Sequence, residues 1–304
     1  MKKAWIVVGA MLVVCLCVLM LVGCDSYTKQ EKYDNAEAYS TGTQVYEGEL
    51  TELNVDWILG QINLVEDENA TNITVVEENE LPSKQKVHSL FSDGVLNVKF
   101  WESGYRAKIE GKYKKVTITY PSVTRIRINT VSADVTGNAL QAESLDVETI
   151  SGDVTLSSAR IGSIRVKSVS GDVKTGAIVG QTFKRETVSG ESEIATLNTR
   201  TATFESVSGD VKIPACTVET FSHETTSGDC TLGLVAASTV AFKSVSGDLD
   251  ATLPLVGATV TFRTTSGDLN TTNSYARSGN TYTFGVAPVC SIQADTTSGD
   301  VTIR

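Results

Sequence analysis

The sequence predicts an all-β fold, a β-solenoid whose stacked rungs contain about 19 residues each. Three observations favour it: a recurring Ser-Gly-Asp triplet, apolar and polar residues that alternate within each copy, and few helix-forming residues. The serines of the copies are Ser132, Ser151, Ser170, Ser189, Ser208, Ser227, Ser246, Ser266 and Ser298. Successive serines are 19 residues apart up to Ser246, and the last two steps are 20 and 32 residues. Such a period indicates stacked structural repeats.

Residues 1–23 have the features of a signal peptide. Two lysines precede an uncharged apolar run, and the small residue Gly23 stands directly before Cys24. The run is close to the ~20 residues that a membrane-spanning helix needs, so an N-terminal anchor helix is the alternative. The sequence Leu-Val-Gly-Cys that ends at Cys24 resembles a bacterial lipobox. That resemblance implies cleavage before Cys24 and lipidation of its sulfur.

Several acyl chains anchor a protein stably in a membrane. We therefore expect a lipid-anchored protein on the extracytoplasmic face of a bacterial membrane. Residues 24–48 are polar and resist packing into a core, which predicts a tether between the lipid and the folded region.

Residues 49–122 are predicted to form an N-terminal β region. Its first strand contains Leu53, Val55 and Trp57, which alternate with polar residues. The segment 59–62, Leu-Gly-Gln-Ile, resembles a degenerate copy of the triplet turn. Residues 66–122 depart from the 19-residue period and predict a β-rich excursion that packs on the first rungs and covers their edge.

Residues 123–304 are predicted to form the repeat domain. If each serine is position 1, positions 14 and 16 are mostly apolar, whereas position 17 is charged in the regular copies. Because strand side chains alternate between faces, positions 14 and 16 should point inward. We expect two or three short strands per rung and, by analogy with parallel crossover connections, a right-handed coil. The insert Tyr275–Phe284 in the last long copy should form a hairpin that covers the final rung.

The triplet glycine fits a corner that needs a positive φ or one where two backbones approach closely. The neighbouring Ser and Asp side chains can hydrogen-bond nearby backbone N–H groups. The predicted turn glycines are Gly152, Gly171, Gly190, Gly209, Gly228, Gly247, Gly267 and Gly299.

Stacking aligns the acidic residues of the triplets in one column. Two like charges ~5 Å apart repel by about 1 kcal/mol in water, so hydrogen-bond donors or bridging cations must offset the repulsion. A structural turn is the favoured interpretation, and a Ca²⁺-binding ladder is the alternative. The speculative ion ladder comprises Asp153, Asp172, Asp210, Asp229, Asp248 and Asp268. The whole column also contains Asp134, Glu191 and Asp300.

Composition and motifs argue against several functions. The formal net charge of −10 disfavours nucleic acid as a partner. The sequence contains no nucleotide-binding, zinc-protease or serine-hydrolase motif, and its acids are spread evenly instead of paired at one site. We expect no catalytic residues and no cofactor. His88 and His223 are interpreted as structural, and Cys216, Cys230 and Cys290 as small buried apolar residues.

The repeated triplet within (V/T)SGD(V/L), the strand KVTITYP and the closing TSGDVTI resemble the bacterial DUF4097 family, also known as an adhesin-like or β-strand-repeat family. The resemblance covers about residues 45–304 and implies a β-helical, envelope-associated protein. The copies with Ala133, Glu191 and Ser192 depart from the pattern and predict weaker rungs.

These observations predict a non-enzymatic, adhesin-like interaction or scaffold module whose partner is an envelope protein or a cell-wall or surface glycan. The Ca²⁺-binding module and, third, a polysaccharide-acting enzyme are the alternatives. A role in sensing envelope stress is neither supported nor excluded by the sequence. Function is expected where the period is broken: in the 66–122 excursion, at the Glu191 rung and in the Tyr275–Phe284 insert.

Overall fold

The computed structural model describes residues 27–108, 114–253 and 257–304. The predicted signal peptide and Cys24 lie outside these ranges. The chain forms two compact units, one that ends at Ile161 and one that extends from Gly162 to Arg304. Apart from two short 3-10 turns, Ala36–Ala38 and Ser83–Gln85, every regular element in the described ranges is a β-strand. None of the helices in these ranges has the length and apolar character needed to cross a membrane.

The strands of the first unit vary in length from two residues to fifteen. They are β1 (Tyr27–Lys29), β2 (Ser40–Thr41), β3 (Gln44–Tyr46), β4 (Glu52–Glu66), β5 (Ile73–Glu77), β6 (His88–Ser92), β7 (Val95–Lys99), β8 (Arg106–Lys108), β9 (Lys115–Tyr120), β10 (Arg125–Asn138), β11 (Leu140–Glu148) and β12 (Val154–Lys167), which continues into the second unit.

The second unit contains the regular repeats and the C-terminal strands. They are β13 (Val173–Val179), β14 (Thr182–Glu186), β15 (Ser192–Glu205), β16 (Val211–Glu224), β17 (Cys230–Lys243), β18 (Leu249–Thr252), β19 (Ala258–Arg263), β20 (Leu269–Thr271), β21 (Ala276–Ser278), β22 (Thr281–Phe284), β23 (Cys290–Asp295) and β24 (Val301–Ile303).

The predicted β-solenoid is confirmed by the register of these strands. Strands β15, β16 and β17 pair in parallel, so that Ala202, Phe221 and Val240 of successive copies lie side by side. A regular rung is one 14-residue strand followed by a triplet turn, rather than the two or three short strands expected. Each long strand pairs with its neighbours along most of its length, and the register between β16 and β17 shifts between Ile213 and Thr217. The hand of the solenoid stays a prediction.

The inward-facing residues form the core, as the alternation predicted. Positions 14 and 16 are buried in every regular copy, including three ring side chains in adjacent rungs. The ring centroids of Phe183 and Phe204 are 5.4 Å apart, and so are those of Phe204 and Phe221. One rung cannot enclose these side chains alone, so the stack of rungs creates the core.

The first unit contains a rung that lies out of chain order. Strand β4 pairs in parallel with β10 on one side and with β7 and β9 on the other. The register sets Leu59 to Ile62 against Ser132 to Val135, so the degenerate turn occupies the position of a triplet. Antiparallel strands β6 and β5 then cover β7 and β9. The 66–122 excursion therefore packs on the first rung and covers its edge.

The expectation that residues 24–48 form an unpacked tether is wrong for residues 27–48. Strand β1 pairs with β8, β2 with β6 and β3 with β5, all antiparallel. The rings of Tyr33 and Tyr39 also lie in contact, 4.7 Å apart. An edge strand is held mainly by backbone hydrogen bonds, which polar residues supply as well as apolar residues do.

At the C-terminal end the rung order also departs from chain order. Strand β23 lies between β17 and β19, and β24 lies between β18 and β20. The copy that contains Ser298 is therefore inserted between those that contain Ser246 and Ser266. Strand β22 of the predicted hairpin pairs antiparallel with β19, so the insert covers the edge of the outermost rung.

Candidate functional site: an open groove across four rungs

A groove of about 550 Å³ crosses four successive rungs of the second unit. It lies at positions 10–12 of each copy, within strands β15, β16 and β17 and between strands β13 and β14. Three residues from each of three rungs and two from a fourth line it, and Val289 closes one end. The lining residues are Gly180, Gln181, Asn198, Thr199, Arg200, Thr217, Val218, Glu219, Ala236, Ala237, Ser238 and Val289.

The strand register determines which side chains lie next to one another along this groove. Asn198 stands beside Thr217, and Thr217 stands beside Ala236. Neighbouring strands lie ~4.8 Å apart, so four rungs give a groove roughly 14 Å long. Small residues at Gly180 and Ala236 keep it open at the surface.

The polar groups in the groove are mainly amides and hydroxyls. Gln181, Asn198 and Ser238 are exposed, and each can donate or accept hydrogen bonds. Arg200 and Glu219 form the one charged pair among the lining residues, with 3.6 Å between Nε and Oε2. Because this carboxylate has a cationic partner and no second carboxylate lines the groove, the arrangement suits recognition of a polar chain better than acid–base chemistry.

Thr199 is a buried residue of the groove lining. Its Oγ1 atom has no hydrogen-bond partner among the described residues. Because this atom is itself buried, it is not presented to a ligand in the groove. Positions 10–12 carried no sequence signal, because their residue types differ from copy to copy.

The acidic column forms a hydrogen-bonded ladder. The backbone N–H of Asp229 donates to Oδ1 of Asp210 at 2.8 Å, and that of Asp248 donates to Oδ1 of Asp229 at 2.9 Å. The same bond joins Glu191 to Asp172, Asp153 to Asp134, Asp300 to Asp248 and Asp268 to Asp300. Each such carboxylate thus receives a donor from the next rung, which offsets the repulsion within the column.

The Glu191 rung interrupts this ladder. Among the described residues, the Glu191 carboxylate is not an acceptor in the N–H bonds that form the ladder. No cluster of three or more potential metal-ligating side chains occurs in the described ranges either. The column therefore has a structural explanation in its N–H donors.

Of the two alternatives for the triplet glycines, a positive φ or a close approach of backbones, the structure supports close approach. The glycines with positive φ in the described ranges lie outside the Ser-Gly-Asp triplets, and one of them is Gly60 of the degenerate turn. Instead, a Cβ atom placed on Gly209 would lie 2.2 Å from the carbonyl oxygen of Gly190, and one on Gly190 would lie 2.1 Å from that of Gly171. The same holds at Gly152, Gly228, Gly247, Gly267 and Gly299. Close approach of successive rungs is what requires glycine.

A column of hydroxyls supports the same corners. The N–H of Gly190 donates to Oγ1 of Thr187 at 3.0 Å, and that of Gly228 donates to Oγ1 of Thr225 at 2.9 Å. In the intervening rung, Ser206 donates instead to the carbonyl of Gly209 at 3.0 Å.

Lys114 is a buried cation in the excursion that sequence reasoning missed. Its Nζ lies 3.2 Å from Oε1 of Glu77 and donates to the carbonyls of Gln85 and Phe100. Burial lowers the pKa of Lys114 to about 8 although Glu77 opposes the shift. The ion pair with Glu77 and the two carbonyl contacts tie strand β5 to the neighbouring segments, so Lys114 is structural.

Arg185 is a second buried cation, at the inward-facing position 16 of its rung. It donates to Oγ of Ser168 at 2.8 Å and to the carbonyl of Gly171 at 2.5 Å. Burial lowers its pKa to about 10, and Asp172 opposes that shift. Arg185 therefore stabilises a triplet corner from inside the core.

The histidines and cysteines are structural, as expected. His223 is fully buried beside Phe242, and burial lowers its pKa to about 4. His88 contacts the carbonyl of Lys86 and the hydroxyl of Thr41. The cysteines of the body are buried and unpaired, and burial raises the pKa of their thiols: Cys216, Cys230 and Cys290.

Residues 61–304 match the Toastrack DUF4097 family, so the chain belongs to that family. A solved structure described as a putative lipid binding protein from Parabacteroides distasonis is 14% identical, with a TM-score of 0.55 over 86% of this chain and 97% of that one. A putative adhesin from the same species is 12% identical, with a TM-score of 0.53 over 87% and 97%. These likenesses show a shared fold. No curated protein matches the chain.

Proposed function

We propose that this protein is a lipid-anchored, non-enzymatic module on the bacterial surface, and that the groove across four rungs binds a linear polar polymer. The observation that carries the proposal is the groove itself, whose amides and hydroxyls are spread along the direction in which the rungs stack. Solenoids commonly use extended faces of this kind for binding.

The chemistry of the groove favours a glycan without strong negative charge. Gln181, Asn198 and Ser238 match the hydroxyl and amide groups of cell-wall sugars as hydrogen-bond donors and acceptors. The net charge of −10 disfavours polyanions through long-range repulsion. Surface location agrees with the description of the structurally similar Parabacteroides distasonis protein as a putative adhesin and with the lipobox-like sequence at Cys24.

Cosedimentation with purified peptidoglycan sacculi tests this proposal. Ser238→Trp should abolish binding because Ser238 is exposed in the groove and an indole would fill the space. Thr231→Trp is the matched control, since Thr231 is an exposed residue of the same strand outside the groove.

We expect the parent chain and Thr231→Trp to sediment with the sacculi, and Ser238→Trp to stay in solution. Equal binding of both variants would move the site away from the groove. Failure of the parent to bind would exclude a peptidoglycan ligand and leave an envelope protein as the partner class to test.

A further inference from the structure

The C-terminal rung occupies a slot between two rungs that are consecutive in the sequence. The slot is bounded by β17 and β18 on one side and by β19 and β20 on the other. Residues 290–304 fill it. Their inward-facing side chains Ile292 and Val301 are completely buried, so an empty slot would expose a full layer of the core.

The two walls of the slot present equivalent groups to the inserted rung. Ile292 stands between Val240 and Val260, and Val301 stands between Leu249 and Leu269. The paired wall residues are 20 residues apart in the sequence, which is the spacing of the two triplets.

The hydrogen bonds of the triplets follow the same pattern. The N–H of Asp300 donates to Oδ1 of Asp248 at 2.7 Å, and the N–H of Asp268 donates to Oδ1 of Asp300 at 2.8 Å. The slot therefore binds a complete triplet rung through backbone groups, carboxylates and core side chains. The same rung from a second copy of the chain can make all of these contacts.

The connection to the inserted rung is exposed. Residues 285–289 join β22 to β23, and the side chain of Val286 is fully exposed while that of Val289 is 64% exposed. Because the linker contributes little to the core, the rung can follow a different path from its own chain without losing buried contacts.

We propose that residues 290–304 form an exchangeable rung, which one copy of the chain donates into the slot of a second copy. The reciprocal exchange makes a dimer in which every contact of the monomer is kept, and such swaps of identical elements have a low free-energy cost. Strand addition through backbone hydrogen bonds is a common recognition mode. This dimer would present two grooves at once.

Cysteine cross-linking between two differently tagged full chains tests the exchange. One chain carries Thr239→Cys and the other Ser291→Cys. These residues are direct neighbours in adjacent parallel strands, and both are exposed. Their expected separation of ~4.8 Å suits a disulfide. The chains are unfolded and refolded as a mixture, then oxidised.

The matched control replaces Thr239→Cys by Thr220→Cys. Thr220 lies beside Thr239 in the next rung, two strands away from Ser291. At roughly 10 Å, this pair is too far apart for a disulfide. The control also accounts for any product formed through the native cysteines, which remain in every chain.

Exchange predicts a covalent product that carries both tags with Thr239→Cys and not with Thr220→Cys, and that increases with protein concentration during refolding. A single chain with both Thr239→Cys and Ser291→Cys, oxidised before unfolding, should remain a monomer because its rung is locked in its own slot. Absence of the two-tag product, or equal amounts of it with Thr220→Cys, would overturn the proposal.

Discussion

The substitution Gly209→Ala tests why the triplet contains glycine. Its Cβ would lie 2.2 Å from the carbonyl oxygen of Gly190, whereas real Cβ atoms essentially never approach closer than 3.0 Å. The two corners must therefore separate by about 0.8 Å. Among the bonds that join these corners, two run from the N–H groups of Val207 and Ser208 to the carbonyl of Val188, at 3.1 and 2.9 Å.

Lengthening both bonds by this amount removes most of their contribution, at ~1 kcal/mol each. Alanine also reduces the conformational entropy of the unfolded chain, which stabilises the fold by ~0.4–1 kcal/mol. This gain applies here because Gly209 has no positive φ, so alanine can adopt its backbone conformation without strain. We therefore expect Gly209→Ala to lower the free energy of unfolding by about 1–2 kcal/mol, and Gly209→Val to lower it further.

Urea unfolding followed by far-UV circular dichroism measures this difference as a lower midpoint at an unchanged slope. Ser208→Ala is the matched control: Ser208 is exposed and adjacent, so its replacement should change stability by less than ~0.5 kcal/mol. Gly209→Ala with the stability of the parent, or with that of Ser208→Ala, would refute the close-approach explanation.

Three further changes test the ladder, the buried histidine and the anchor. Asp229→Ala removes the acceptor for the N–H of Asp248 and should lower the free energy of unfolding, measured with urea, by ~1 kcal/mol. Asp229→Asn keeps an acceptor oxygen and should lower it less. Equal effects of the two substitutions would contradict the hydrogen-bonded ladder. The pKa of His223 is about 4 in the folded chain, so the unfolded state binds more protons between pH 4 and ~6.5 and stability falls as the pH is lowered through that range. Between pH 7.5 and 5, His223 should lower the free energy of unfolding by about 2 kcal/mol, and His223→Leu should abolish this part of the decrease. An unchanged pH dependence of stability in His223→Leu would show that His223 is not its source. Cys24→Ala should abolish incorporation of a fatty-acid label into the chain in cells, and persistent labelling would exclude Cys24 as the lipidated residue.

The sequence alone determined the repeat architecture and the inward face of each rung. A fixed period and strict alternation are local properties of the chain, and a stacked β-fold repeats them in space, so Phe204 and Phe221 could be assigned to the core before the structure was known. The strand Lys115–Tyr120 was also predicted, because a short alternating run bounded by Pro121 has few other interpretations.

Only the tertiary structure decided which rungs are neighbours and where the open surface lies. Every triplet offers the same hydrogen bonds, so the repeat pattern does not specify which copies become neighbours. The sequence of the Ser298 copy is therefore compatible with a place between the Ser246 and Ser266 copies as well as with a place at the end of the stack. The groove at positions 10–12 depends on which small and polar side chains meet across rungs, and these residues share no period. The glycine requirement arises for the same reason: it comes from the carbonyl of the next rung, a contact between residues 19 positions apart, and not from the local backbone angle that sequence rules describe.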